Sequence, residues 1–160
     1  MKKYKNYALV LAVLLILGIS ILWVSSNATP NSGLYTTRLN ITEKILAVRY
    51  SGDFQKANYA LDLAQKRLLD LQALKESKSL ESAAGILARD NFNQQTIIAQ
   101  QNIMALSQKE GVSATSVLTL TEGLDVVIEG AKAVFNIDQL EILDEGAPIP
   151  KATSTKVKSK

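Results

Sequence analysis

Seven carboxylates crowd the stretch from Gly111 to Gly146 (Glu122, Asp125, Glu129, Asp138, Glu141, Asp144 and Glu145), with Lys132 as their one basic neighbour. Paired acids cleave glycosides when burial raises the pKa of one of them and a sugar platform lies beside them. Glu122, Asp125 and Glu129 share a helical face and are the residues for such a hydrolase, yet no aromatic platform lies near them in the sequence. Hard cations need several oxygens around a glycine turn, and Asp138, Glu141, Asp144 and Glu145 do not reproduce that loop. The cluster therefore reads as a solvated acidic face. The chain has no cysteine and no histidine, which excludes thiolate nucleophiles, imidazole bases, Cys/His zinc sites and Ser-His-Asp triads. No Gly-rich phosphate loop, HExxH or GxSxG string occurs. The expectation is a protein that is not an enzyme and that carries no cofactor and no metal site.

The second constellation is made of amides. From Asp90 to Asn102, seven of thirteen residues are Asn or Gln. Asn91, Gln94 and Gln101 extend the seam that Leu87 and Ile98 define, and amides on a seam need hydrogen-bond partners. These three are the candidate interaction surface; the plainer alternative is a partly solvated stretch of a long helix.

These residues must be positioned by a chain of 160 residues, 47% hydrophobic and 21% charged, which is the size of one domain and too apolar for disorder throughout. The formal charge of +3 is set by the termini, where Lys2, Lys3, Lys5, Lys151, Lys156, Lys158 and Lys160 lie; the body between them is acidic. An acidic body opposes nucleic-acid binding, so no nucleic-acid partner is expected.

From Tyr7 to Val24 no side chain is charged. Eighteen helical residues span roughly 27 Å, close to the hydrocarbon thickness of a bilayer. The run lacks the polar stripe of a core helix and exceeds a typical secretory apolar region. Lys2, Lys3 and Lys5 place the amino terminus in the cytoplasm, and Tyr4, Tyr7 and Trp23 fall at the water-lipid boundaries. Tyr7 and Trp23 mark the two ends of the membrane anchor. Ser26 and Ala28 also suit a signal peptidase cutting before Thr29, which would release the rest of the chain.

The expected organisation is a cytoplasmic segment (1–6), a transmembrane helix or uncleaved signal anchor (7–24), a linker (25–39), an extracytoplasmic helical domain (40–146) and a disordered basic tail (147–160). The linker rests on SSNATPNSG, and the tail on two prolines and four lysines from Gly146 onward.

Within the domain, Asn40 and Glu43 have the spacing of a capping box before a short helix, which Ser51-Gly52-Asp53 interrupts. A helix capped by Asp53 or Ser51 then runs from Phe54 to Lys75. Its apolar residues Phe54, Ala57, Leu61, Ala64, Leu68 and Leu71 follow a heptad, widened by Ala60 and Leu74. The seam is under three heptads, which suits an intramolecular bundle better than a coiled coil between chains. A polar connection, Lys75 to Ser79, predicts an antiparallel neighbour capped by Ser79, with Leu80, Ala84, Leu87, Ile98 and Ala105 on its inner face, a break near Asp90 to Asn93, and Gly111 as its stop. Ser113 to Phe135 fits a helix with Gly123 and Gly130 on one face, able to admit a close neighbour; a hairpin across Glu122-Gly123 is the alternative. Asp138 to Leu143 forms a terminal turn.

Lys56 to Leu74 resembles an uncharacterised family of bacterial extracytoplasmic, membrane-tethered helical domains with an Ala-x-x-Arg-Leu-x-[Asp/Glu]-Leu helix, here Ala64, Arg67, Leu68, Asp70 and Leu71. The resemblance covers about Leu39 to Leu106 and implies an α-hairpin in an exported or tethered protein; it implies no catalytic residue. Arg67 and Asp70, three apart, read as an exposed ion pair of a few tenths of a kcal/mol.

The sequence thus predicts an all-α protein: one N-terminal transmembrane helix followed by a three- to four-helix antiparallel hairpin or bundle. Its expected partners are the lipid bilayer through residues 7–24 and an envelope protein, with homo-oligomer formation open. It is expected in the cell membrane as a single-pass protein with the C-terminal domain outside. The alternatives are the same module cleaved after Ala28 and secreted, and a small envelope hydrolase using the acidic helix face.

Overall fold

The computed structural model describes residues 2–135, and these are all-helical. In chain order they form α1 (Lys2–Ser26), α2 (Tyr35–Thr37), a π segment (Arg38–Thr42), α3 (Glu43–Ala47), α4 (Asp53–Glu76), α5 (Ala83–Ser107) and α6 (Ala114–Phe135). The tail, the terminal turn at Asp138 to Leu143 and the carboxylates Asp138, Glu141, Asp144 and Glu145 lie outside the described residues.

From Leu9 to Val24 the side chains of α1 are exposed apart from the half-buried Leu22. Its Leu9–Ser26 stretch has a mean hydropathy of 2.6 with 6% of its residues buried, and it is long and apolar enough to cross a membrane. Tyr7 and Trp23 are both exposed.

Helices α4, α5 and α6 pack as an up-down-up bundle. The exposed ion pair of Asp53 at the start of α4 with Lys109 beyond the end of α5 fixes those two as antiparallel. Leu61 and Leu68 of α4 meet Gly123 and Gly130 of α6 in ascending order, so those two run parallel. The core holds Ala57, Ala60, Leu61, Ala64, Leu71 and Leu74 from α4, Ala88, Phe92, Ala99, Ile103 and Leu106 from α5, and Leu120, Leu124, Val127, Ala131 and Val134 from α6. The heptad of α4 faces this core as expected, except that Phe54 is exposed.

The segment Ser113 to Phe135 is helical; the hairpin alternative is not what forms. Helix α5 differs from expectation in three ways. It is unbroken through Asp90 to Asn93, and its cap is Ser82, whose hydroxyl accepts from the Gly85 N–H at 3.2 Å, in place of Ser79. Its buried line is Gly85, Ala88, Phe92, Thr96, Ala99, Ile103 and Leu106, one position along from the line through Leu87, which stays exposed with Ala105. The reason is close approach. Small residues let α4 and α5 come together, and their weak hydropathy hides the seam from a count of large apolar side chains. Gly85 is obligatory for a separate reason: a Cβ there would sit 2.0 Å from the Leu80 carbonyl oxygen of the connection that leads into α5. The turn after α5 uses Gly111 at φ +79°, a left-handed conformation that glycine adopts without strain.

The region between the anchor and the bundle also departs from the sequence reading. Asn40 and Glu43 form no capping box, because helix continues through them from Tyr35 to Ala47. The N-cap of α4 is Gly52, where Asp53 or Ser51 was expected. Within the segment read as a linker, Ser25, Ala28 and Pro30 are buried. The Ser25 hydroxyl pairs with that of Thr42 at 2.6 Å, so the end of α1 is seated on the π segment.

Candidate functional site

Two charged pairs, distant in sequence, meet inside the protein. Arg38 and Glu43 come from the π segment and the start of α3; Arg67 and Asp70 come from α4. In an α-helix, residues five apart point in different directions. Here the Glu43 N–H bonds back to the Arg38 carbonyl, the i→i+5 spacing of a π turn. The wider turn brings the two side chains to one face, where Arg38 Nε donates to Glu43 Oε1 at 3.1 Å.

On α4 the matching signal is a second seam, Leu63, Arg67, Asp70 and Leu74, all buried. Arg67 and Asp70 are therefore not the exposed pair expected from their spacing: the Arg67 side chain is 1% exposed and that of Asp70 9%. They close a ring. Arg38 Nη1 donates to Asp70 at 3.0 Å, Arg67 Nη1 donates to Asp70 at 3.2 Å, and Arg67 Nη2 donates to Glu43. Two cations and two anions cancel, which is how charge survives burial.

Tyr35 completes the assembly. Its hydroxyl donates to Asp70 at 3.0 Å, and the guanidinium carbons of Arg38 and Arg67 lie 5.6 and 5.9 Å from its ring centre, within cation–π range. Burial, reinforced by the Asp70 charge, pushes the Tyr35 phenol well above its ordinary value. For Arg67, burial opposes the charge, but the hydrogen bond and charge of Glu43 outweigh it and hold the guanidinium more firmly protonated. The ring extends to the anchor, since Arg38 Nη1 also donates to the Ala28 carbonyl at 2.7 Å.

Beside this ring lies a cavity of about 540 Å³ between the α3 region, α4 and α5. Its polar lining includes Glu43, Lys44, Lys56 and Arg67, with Asn91, Gln94, Gln95 and Asn102 from α5. Tyr50 and Tyr59, stacked at 4.4 Å between ring centres, form one wall. The Tyr59 hydroxyl donates to the Glu43 carbonyl at 2.9 Å. Its phenol is pushed up to about 12, first by burial and then by the Glu43 charge. Two buried polar atoms of lining residues, Arg67 Nε and Gln95 Oε1, have no hydrogen-bond partner among the described residues. One is a donor and the other an acceptor.

Of the amides singled out from the sequence, Asn91 and Gln94 line this cavity and Gln101 does not. Asn91 also donates to the Leu87 carbonyl at 2.8 Å. Sequence reasoning missed Gln95 and Asn102, which flank the chosen residues, and missed Glu43 and Arg67. The charged pair embedded in the second seam of α4 was the available signal for Arg67.

The acidic face stands apart. Glu122, Asp125 and Glu129 are exposed, none lines the cavity, and Glu129 pairs with Lys132 at 2.8 Å. Among the described residues no group of acids is placed to hold a metal ion. Comparison of the chain with protein-family models, with curated proteins and with solved structures finds no match, so the likeness of the Lys56 to Leu74 helix carries no function to it.

Proposed function

We propose that this protein is a single-pass membrane protein, amino terminus inside, whose outer helical module works by contact with another envelope protein, without catalysis or a cofactor of its own. The observation that carries the reading is the seating of α1. Its apolar side chains are exposed, while its last turn is tied to the module through Ser25 and Thr42, and the Ala28 carbonyl receives Arg38. Cleavage after Ala28 would remove the Ser25 contact to Thr42 and separate Ala28 from Arg38 of the buried ring, which favours retention of the anchor over release. Lys2, Lys3 and Lys5 supply the positive-inside orientation.

The contact face is the cavity. A peptide group offers one acceptor for Arg67 Nε and one donor for Gln95 Oε1, and an acidic side chain beside it suits the exposed Lys56 of the lining. The test is site-specific photo-crosslinking of the full chain in its native membrane, with the reactive group at Asn91, Gln94 or Asp125. One shared adduct from positions 91 and 94, absent from 125 and lost in Gln95→Leu, is the expected result. Adducts that ignore position, or a membrane-free chain whose mass begins at Thr29, would refute the reading.

A further inference from the structure

The helix between the anchor and the bundle is turned inside out. Its buried side chains are polar or charged: Tyr35, Arg38, Thr42 and Glu43. Its exposed side includes Ile41 (50% exposed), Ile45 (49%) and Val48 (82%). These follow an i, i+4, i+7 spacing and form one stripe. Water is a poor neighbour for such a stripe.

We propose that this stripe lies in the headgroup layer of the outer leaflet of the bilayer that α1 crosses, so that the segment from Leu34 to Val48 is a membrane-surface helix. The inference rests on the anchored reading of α1. Position supports it: Thr42 is hydrogen-bonded to Ser25, two residues beyond Trp23, so Ile41 lies beside the point where the apolar span ends. Val48 lies about 10 Å further along at helical rise. Charge supports it as well. From Asn27 to Gly52 the one acidic residue is Glu43, which is buried in the ring. The exposed charges there include Lys44 and Arg49, matched to lipid phosphates. A protein groove would need its own complement to this stripe, whereas the bilayer is already continuous with α1. The buried ring then has a purpose in this geometry: it holds the polar side of the surface helix on α4 while lipid takes the apolar side.

The chain has no cysteine, so single probes can be placed without background. The full chain is reconstituted in phosphatidylcholine–phosphatidylglycerol vesicles with a polarity-sensitive fluorophore on Ile45→Cys, Val48→Cys, Leu14→Cys or Val126→Cys. All four parent side chains are exposed, and unchanged circular dichroism verifies each fold. Probes at 45 and 48 are expected to be blue-shifted, quenched severalfold by a nitroxide placed near the lipid headgroup and spared by aqueous iodide, as at a depth of about 5–10 Å. The probe at 126, on α6, is expected to respond to iodide alone. Iodide quenching at 45 and 48 alongside lipid quenching at 14 would overturn the surface helix and leave the anchor standing; iodide quenching at 14 would overturn both. Shielding of 45 and 48 from both quenchers would mean that protein covers the stripe, and would also overturn it.

Discussion

The side chain of Leu68 on α4 fits against Gly130 on α6, where a Cβ would lie 2.7 Å from Leu68 Cδ2. Leu61 and Gly123 repeat the contact at 2.9 Å one heptad earlier. Two leucines seven apart meet two glycines seven apart, so the register between these parallel helices is set by knobs entering gaps left by missing side chains.

Gly130→Ala tests that register. Alanine gains about 1 kcal/mol of helix propensity over glycine, but it overpacks Leu68 at a cost of about 1–3 kcal/mol. Because the atom it meets is the end of the half-buried Leu68 side chain, the gain and the cost nearly cancel, and a net change within about 1 kcal/mol of zero is expected in denaturant unfolding. A loss of about 3 kcal/mol or more would show that Leu68 cannot give way and that the gap is rigid.

The ionic ring predicts a strongly asymmetric pair of variants. Arg67→Met leaves Glu43 and Asp70 sharing Arg38, and breaking a buried pair from one side costs about 3–5 kcal/mol. Arg67→Met with Asp70→Leu restores neutrality and should recover a large part of that loss. A single variant no worse than the double would mean that water reaches the ring.

Alkaline pH should loosen the docking of the α3 region. The phenols of Tyr35 and Tyr59 both titrate above their ordinary value of 10.0, Tyr59 at about 12. The unfolded chain therefore loses these protons first as pH rises. Their contribution to stability is complete below pH 10 and declines from there through 12, with the sign that deprotonation favours unfolding. Absorbance of phenolate during a pH titration should show a fraction that ionises only above pH 10, together with loss of folded structure, and that fraction should shrink in Tyr59→Phe. Ionisation of all tyrosines in a single step near 10 would contradict the burial.

A chain beginning at Thr29 should be less stable than the full chain compared in the same detergent. It lacks the Ser25 hydroxyl and the Ala28 carbonyl that receive Thr42 and Arg38. A hydrogen bond to a charged group contributes about 1.5–3 kcal/mol, and a loss of that order is expected in thermal unfolding. Equal stability would mean that the module is complete without the anchor.

The exposed Asp53–Lys109 pair holds the Asp53 carboxyl below its usual range, chiefly through the lysine hydrogen bond and charge. Its stabilising effect is present above the unfolded carboxylate value and fades as pH falls through the lowered one. Lys109→Ala should return the Asp53 carboxyl toward its ordinary pKa in a carbon-detected NMR titration while leaving the bundle folded, since the pair is at the surface.

Much of the helical architecture was legible because its signals are local. An unbroken apolar run gave α1, a heptad gave the inner face of α4, and paired glycines gave the close face of α6, each read from residues within a few turns of one another. The buried line of α5 was misread by one position because large apolar residues lie on both neighbouring lines, Leu87 and Ile98 on one and Phe92, Ile103 and Leu106 on the other, and Gly85, Ala88 and Ala99 add little hydropathy to the second. The cavity was half legible: Asn91 and Gln94 belong to it, while Gln101 falls on an exposed side of the helix although its neighbour Asn102 lines the cavity. The buried ring was beyond local reading. It joins Tyr35 and Arg38 to Asp70 across more than thirty residues, and it depends on a π turn that places Arg38 and Glu43 on one face. Periodicity along a chain determines which side of a helix is apolar. Whether a charged pair on that helix faces water or its opposite charges is decided by what the rest of the chain lays over it, because desolvation and Coulomb attraction act through space and have no period in the sequence.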